Sequence, residues 1–162
     1  MKPDLIDRLA ERVVLGGLWH DPDALFARLC EIGFTPDLFA FPEHRFLWDE
    51  TYELWVRFEP VTLVAMWRAL KRPEVRGGVV RRMAEDIGGD TAEWVTDTFL
   101  AAFAWWPKTD EMQDRGRWCE PEDDAEGFHF GWACAAARKL MWLGARRHAI
   151  FRHQEGLKRA LS

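Results

Sequence analysis

Apolar residues recur along most of the chain at the three- and four-residue spacing of amphipathic α-helices. This pattern predicts helices over the ranges 4–19, 21–33, 42–58, 62–72, 79–87, 91–106 and 128–161. No stretch alternates apolar and polar residues with an excess of β-branched side chains, so strands are not expected. The sequence therefore predicts an all-α fold, a compact bundle of about six helices with a long C-terminal helix that forms a hairpin or an arm.

Local signals mark the ends of several predicted helices. Asp21 precedes Pro22 as an N-cap, because an Asp side chain accepts hydrogen bonds from the first turn and Pro suits the first helical position. Gly33 is expected to end that helix, since glycine adopts the left-handed conformation found there. Thr62 and Thr91 are predicted to cap the helices that follow them.

Two features indicate how the helices pack. The pair Gly16-Gly17 lies inside the first predicted helix, where each glycine costs about 1 kcal/mol relative to alanine. We therefore expect another helix to approach the backbone closely at this pair. The third helix is expected to bury a face that comprises Leu47, Thr51, Leu54, Trp55 and Phe58.

The chain divides into three predicted segments of different charge. Residues 1–106 form the helical bundle, 107–127 an exposed, polar and acidic loop, and 128–162 a basic helix. The last segment carries seven Lys or Arg residues against one acidic residue, a net charge of +6. Because the whole chain has a net charge of −5, residues 1–127 carry a net charge of −11. A basic end on an acidic body either binds phosphates or folds back on its own acidic residues, and folding back is the simpler expectation.

Composition places the chain among proteins that need neither metal nor disulfide for stability. Hydrophobic residues make up 48% of it, with ten Trp and eleven Phe. Cys30, Cys119 and Cys134 are odd in number and widely spaced, which is typical of a reducing compartment. The N-terminus has no signal-peptide pattern, and no uncharged apolar run is long enough to cross a bilayer. We expect a cytoplasmic protein with no membrane partner.

Three stretches resemble, in the same order, motifs of the N-terminal domain of DnaB-type replicative DNA helicases. Residues 10–22, AERVVLGGLWHDP, are similar to the family pattern A-E-x-x-V-L-G-x-L-x-x-D. Residues 36–48, PDLFAFPEHRFLW, resemble P-E-x-F-x-x-x-x-H-R-x-I-F, and residues 52–64, YELWVRFEPVTLV, resemble L-x-x-x-G-x-P-V-D-x-V-T-L. The resemblance covers about 4–87, with Arg76-Gly77-Gly78 at the family's Gly-Gly turn, and it fades after Gly89.

The resemblance implies a scaffold without a motor. The phosphate-binding pattern G-x-x-x-x-G-K-[S/T] does not occur, and Gly88-Gly89-Asp90-Thr91 lacks the lysine that neutralises phosphate charge. We therefore expect a non-enzymatic module without a cofactor. In the resembled family this domain forms the collar of a hexameric ring, pairs through a helical hairpin and offers a surface to primase. The expected partners are a replicative helicase, a primase, or a second copy in a homodimer.

Aromatic residues near the predicted hairpin are candidate interface residues. Trp105 and Trp106 are adjacent at a predicted helix end, so both cannot face the same interior. A position in an interface and a position in the core are equally expected for them. Trp142 and Phe151 lie on the last helix, where the dimer contact is expected. An alternative function is DNA binding through the basic residues of this helix, which comprise Arg138, Lys139, Arg146 and Arg147.

Other residues with reactive side chains have simpler structural explanations. His44 begins a predicted helix, where a hydrogen bond to backbone or to a neighbouring turn is expected. Cys119, His129 and Cys134 lack the paired spacing of metal ligands. The acidic residues of 120–126 lack the alternate positions of a calcium loop and are expected to be solvated or to pair with the basic helix. No catalytic or metal site is predicted.

Overall fold

The computed structural model describes residues 5–72, 90–104 and 128–162, and the side chains of 103–104 and 128–132 are not described. Within these ranges it contains one 3₁₀ turn, Pro36–Leu38, and the α-helices α1 (Arg8–His20), α2 (Pro22–Ile32), α3 (Pro42–Val56), α4 (Leu63–Leu70), α5 (Thr91–Ala104) and α6 (Phe128–Leu161). No strand occurs in the described part of the chain, and the all-α prediction is confirmed. The helix expected over 79–87, the loop 107–127, Trp105 and Trp106 lie outside the described residues.

The central helix of the bundle is α1, in which ten successive residues from Ala10 to Trp19 are buried. It contacts α2, α3, α5 and α6, and a helix covered on every side forms the core rather than a face of it. The helix begins at Arg8, four residues later than predicted, because the Asp7 side chain caps it by accepting a hydrogen bond from the Ala10 N–H at 2.9 Å.

The glycine pair of α1 lies where two other helices approach most closely, as predicted. A Cβ atom added to Gly16 would overlap the Thr98 carbonyl oxygen of α5. A Cβ atom added to Gly17 would lie 2.6 Å from the Ala133 Cβ of α6 and 2.9 Å from a methyl group of Leu25. Glycine is therefore required by helix packing at both positions, despite its low helix propensity.

A fully buried carboxylate joins α1 to the start of α3. The two oxygens of Glu11 accept hydrogen bonds from the backbone N–H groups of Ala40 and Phe41, at 2.9 and 3.3 Å. One of them also lies 2.9 Å from Nδ1 of His44, which is buried as well. His44 therefore has the structural role expected of it, although its partner is a carboxylate rather than backbone. The hydrogen bonds hold the segment before α3 against the central helix.

A buried guanidinium joins α1 to α5 in a similar way. Nε of Arg12 donates to the Thr98 hydroxyl at 2.8 Å, and one terminal nitrogen donates to the Trp94 carbonyl at 3.2 Å. The same guanidinium lies 4.7 Å from the centre of the Trp94 indole ring, so a cation–π contact adds to the hydrogen bonds. Glu11 and Arg12 are thus adjacent residues whose polar groups reach different helices.

The helix caps agree with the sequence at most positions. Asp21 caps α2 and Thr62 caps α4, each by accepting a hydrogen bond from the N–H three residues later. The prediction for α5 was displaced by one residue, because Asp90 rather than Thr91 accepts from the N–H groups of Ala92 and Glu93. A carboxylate satisfies two N–H groups at once there.

Two helices end in the same hydrogen-bonded turn, one with glycine and one with phenylalanine. At the end of α2, Gly33 has φ +83° and donates to Cys30, and Phe34 donates to Leu29. At the end of α3, Phe58 has φ +58° and donates to Trp55, and Glu59 donates to Leu54. This pattern is the Schellman motif, in which glycine avoids the steric cost of the left-handed conformation.

The position of Phe58 corrects one prediction. Its side chain is 96% exposed, not on the buried face of α3, because the helix ends at Val56 and the backbone then reverses. The left-handed conformation costs a residue with a Cβ atom about 1–2 kcal/mol. Leu47 and Thr51 of the predicted face are fully buried, whereas Leu54 and Trp55 are half-buried.

Substitution of Gly16 tests the close approach of α5 to α1. We expect Gly16→Ala to lower the free energy of unfolding by about 1–3 kcal/mol, because the obstacle is a backbone oxygen that cannot rotate away. The control is Gly156→Ala in α6, where an added Cβ meets nothing within 4 Å, and this variant should be up to about 1 kcal/mol more stable than the parent. Urea unfolding measures both. A Gly16→Ala protein as stable as the parent would contradict the packing described.

Candidate interaction surface

The first part of α6 belongs to the helical bundle. Its side chains at 133–137, Leu140 and Leu143 are buried, and the helix contacts α1, α2 and α5. A run of alanine over 135–137 and Ala133 opposite Gly17 let the helix axis come close to α1. The last predicted segment, 128–162, is therefore not an arm along its whole length.

Basic side chains fasten α6 to the body just before the helix leaves it. Nζ of Lys139 lies 2.5 Å from a carboxylate oxygen of Asp7, and Lys139 is buried. The guanidinium of Arg147 donates to the carbonyl oxygens of Leu5 and Leu38, at 2.7 and 2.9 Å. Lys139 thus pairs with an acidic residue of the body, as the simpler of the two alternatives expects, whereas the partners of Arg147 are backbone carbonyl groups.

Beyond Arg147 the helix is exposed to solvent. We call residues 148–162 the arm; they form about four helical turns, a length of about 22 Å. All of its side chains are exposed except Glu155, which is partly covered and lies 3.4 Å from Nζ of Lys158. The exposed apolar residues of the arm are Ile150, Phe151, Leu157 and Leu161.

The arm continues an apolar seam that begins inside the bundle. Seam positions alternate in spacing between four and three residues, as in helices that pair along their length. They comprise the buried Ala136, Leu140 and Leu143, the half-buried Arg147, and then Ile150, Gln154, Leu157 and Leu161 of the arm. One face of one helix is thus covered by the protein's own core over its first half and uncovered over its second. A partner helix could extend this packing along the arm.

The predicted interface residues lie at different places on α6. Phe151 is on the arm, beside the seam, with 59% of its side chain exposed. Trp142 is half-buried at the base of the arm, where the guanidinium of Arg146 lies 4.5 Å from its ring centre. Nine residues separate Trp142 from Phe151, which places them on opposite sides of the helix. A single partner helix along the seam therefore reaches Phe151 but not Trp142.

The four basic residues considered for DNA binding do not share one exposed face. Lys139 is buried against Asp7, and Arg147 is held by two backbone carbonyl groups. Arg138 is half-buried, and Arg146, which is exposed, lies against Trp142. Two of the four cations are therefore engaged in holding the helix to the body, which weakens the DNA-binding alternative.

The described residues do not assemble a reactive site around His44 or Cys134. Glu11 and His44 form a close pair, but the side chains of both are buried. Cys134 is buried as well, while Cys119 and the side chain of His129 are not among the parts of the chain that the structure describes. Among the described residues there is no group of three or more potential ligands placed to hold a metal ion. None of the described helices combines the length and the apolarity needed to span a membrane.

Sequence reasoning missed two features of this surface. The role of Glu11 could have been suspected, because Glu11 and Arg12 interrupt an otherwise apolar stripe in the first helix. A charged pair within a buried helix needs polar partners elsewhere in the fold. The seam of α6 was visible only as scattered apolar residues, since its heptad spacing is interrupted by Arg147 and Gln154.

Comparison with known proteins identifies the fold. No protein-family model and no curated protein sequence matches the chain. Among solved structures, the crystal structure of the N-terminal domain of DnaB helicase from Mycobacterium tuberculosis is similar over 97% of this chain and 89% of that chain, with a TM-score of 0.56 and 24% identity. The chain has the fold of that domain. The resemblance found in residues 4–87 is thereby confirmed for the fold, and the structural match extends over nearly the whole chain.

Truncation tests the division of α6 into a packed part and an arm. A chain that ends after Arg147 should melt within a few degrees of the full chain, because the arm adds little buried surface to the body. A chain that ends after Leu143 loses both hydrogen bonds of Arg147 and should be less stable by about 1–3 kcal/mol. Thermal and urea unfolding compare the two. Equal losses of stability in both truncated chains would show that the arm is part of the folded core.

Proposed function

We propose that this protein is a non-enzymatic interaction module of DNA replication in the cytoplasm, which binds a replicative helicase or primase and also associates with a second copy of itself. The observation that carries the proposal is the uncovered half of the α6 seam. Ile150, Leu157 and Leu161 lie along one face of the arm, the part of α6 that is exposed to solvent.

The energetics of the arm favour a partner. Scattered exposed apolar side chains are common on protein surfaces and need no explanation. Here they share one face, with Leu157 50% and Leu161 86% exposed. Each Å² of apolar surface removed from water contributes about 25 cal/mol, so a partner helix along the arm would gain stability from every seam position. The packed half of α6 provides a fixed base for this interaction.

The fold supports the replication role. Its likeness to the N-terminal domain of a DnaB helicase covers 97% of the chain. In the resembled family this domain is a scaffold that pairs through helices and presents a surface to primase. The same scaffold role in this chain requires an exposed helical surface, and the arm supplies one.

The buried polar groups support a non-enzymatic role. Glu11, Arg12 and His44 are buried in the bundle, and each bonds to another part of the same chain. Their hydrogen bonds join one part of the bundle to another. The sequence also lacks the glycine-rich loop with a lysine that binds nucleotide phosphates.

A single charge placed on the seam tests the proposal. We expect Leu157→Glu to reduce binding to the cognate helicase or primase and to shift the self-associated form toward monomer, because it buries a carboxylate in the interface. Phe151→Glu should act in the same direction. Sedimentation velocity at micromolar concentration measures self-association, and a pull-down with purified helicase or primase measures binding to the other partners.

The matched control is His148→Glu. His148 is exposed and lies nine residues before Leu157, on the opposite side of the helix, so the same carboxylate is introduced on the same arm but away from the seam. This variant should bind as the parent does. If Leu157→Glu binds both the replication proteins and itself as strongly as His148→Glu, the seam is not the interface.

A further inference from the structure

We propose that the arm of one copy docks on the C-terminal end of α3 in a second copy, with Phe58 as the anchor of the contact. We define the α3 end as Tyr52, Glu53, Val56, Phe58 and Glu59. The proposal rests on the proposed function in one respect, namely that the arm is an interface. It adds the surface that receives the arm during self-association.

Phe58 is the first observation. The end of α2 and the end of α3 have the same hydrogen-bonded turn, and α2 adopts it with Gly33. The aromatic residue in α3 carries two unfavourable features at once, a left-handed backbone and a ring that is 96% exposed. The hydrogen bonds of the turn would form equally well with glycine, so they do not account for the aromatic residue, and backbone strain of this kind is typical of binding positions.

Two further apolar residues of α3, close to Phe58 along the chain, are also exposed. Tyr52 and Val56 lie one turn apart on α3 and are 45% and 44% exposed. Tyr52 packs edge-on against Phe26 and beside Trp55. Trp55 stacks on Phe26 with 4.7 Å between ring centres, and its indole N–H donates to Asp23 at 2.6 Å. The rings of Tyr52 and Trp55 are already held in place, so little conformational entropy would be lost at these two residues on docking.

The charges of the two surfaces favour the arm as the occupant. Residues 52–59 carry Glu53 and Glu59 against Arg57, which lies 3.1 Å from Glu53, a net charge of −1, whereas the arm carries three basic side chains against Glu155, a net charge of +2. The α3 end therefore presents negative charge around apolar groups, and the arm presents positive charge around apolar groups.

The other pairings are less favourable. Two arms side by side would bring like charges together. The arm of the same copy is exposed and continues α6 as one uninterrupted helix to Leu161, so it does not cover its own α3 end. Contact between the arm of one copy and the α3 end of another pairs apolar with apolar surface and opposite with opposite charge.

Phe58→Gly separates a binding role from a structural one. Because glycine fits the left-handed turn, as Gly33 shows, we expect the melting temperature of the monomer to rise by roughly 2–4 °C. The same substitution removes the anchor, so the dissociation constant for self-association should increase about tenfold or more. The control Val64→Ala shortens a 53% exposed side chain on α4 and should leave self-association unchanged. Sedimentation equilibrium measures both dissociation constants.

A charge exchange tests the identity of the two surfaces. Glu53→Lys with Glu59→Lys, and separately Lys158→Glu with Arg159→Glu, should each weaken self-association in sedimentation. A mixture of the two variants should form heteromeric complexes, because the reversed arm of one matches the reversed α3 end of the other.

The outcomes distinguish this inference from the proposed function. If Phe58→Gly self-associates as the parent does, or if the mixed variants fail to associate, the α3 end does not receive the arm. A parent protein that is monomeric at all concentrations also overturns the inference. In each case the effect of Leu157→Glu on binding to helicase or primase still decides the proposed function independently.

Discussion

The backbone of α1 at Gly16 lies directly against the backbone of α5 at Thr98, with no side chain between them. At the neighbouring position, Gly17, the backbone of α1 lies almost as close to the side chain of Ala133 in α6. Helices at this separation leave little freedom in where α5 and α6 lie relative to the centre of the bundle. The positions of α5 and of the packed half of α6 therefore depend on two residues that have no side chain.

Hydrogen bonds of Arg12 and Glu11 hold α5 and the segment before α3 against α1, beside the close contacts at the two glycines. Arg12 lies one turn before Gly16 and reaches the hydroxyl group of the same Thr98 whose carbonyl oxygen excludes a side chain at Gly16. Glu11 extends to the segment before α3 and fixes where that helix begins. Loss of one partner from such a buried set leaves an uncompensated charge or donor in the interior, which is far more costly than the loss of a surface pair.

Features that depend on a few neighbouring residues were predictable from the sequence. Asp21, Gly33 and Thr62 act at the helix ends assigned to them, and the Gly16-Gly17 pair marks a close approach as expected. The identity of the approaching residue was not predictable, because Thr98 lies far away along the chain and no local pattern names it. The partner of His44 was missed for the same reason, since Glu11 is 33 residues away. Phe58 was assigned to the core because its spacing continued the stripe of α3, whereas the helix had already ended.

Since α6 is one continuous helix, the arm is connected to the bundle as a rod and not as a flexible tether. The buried half is clamped at Ala133, Lys139 and Arg147, so the direction in which the arm points is set by the interior of the protein. A molecule bound to the arm is consequently held at a defined orientation as well as a defined distance from the body. A small change of packing beside Gly17 that rotates α6 slightly would displace Leu161 by a larger distance, because Leu161 lies at the far end of the same helix.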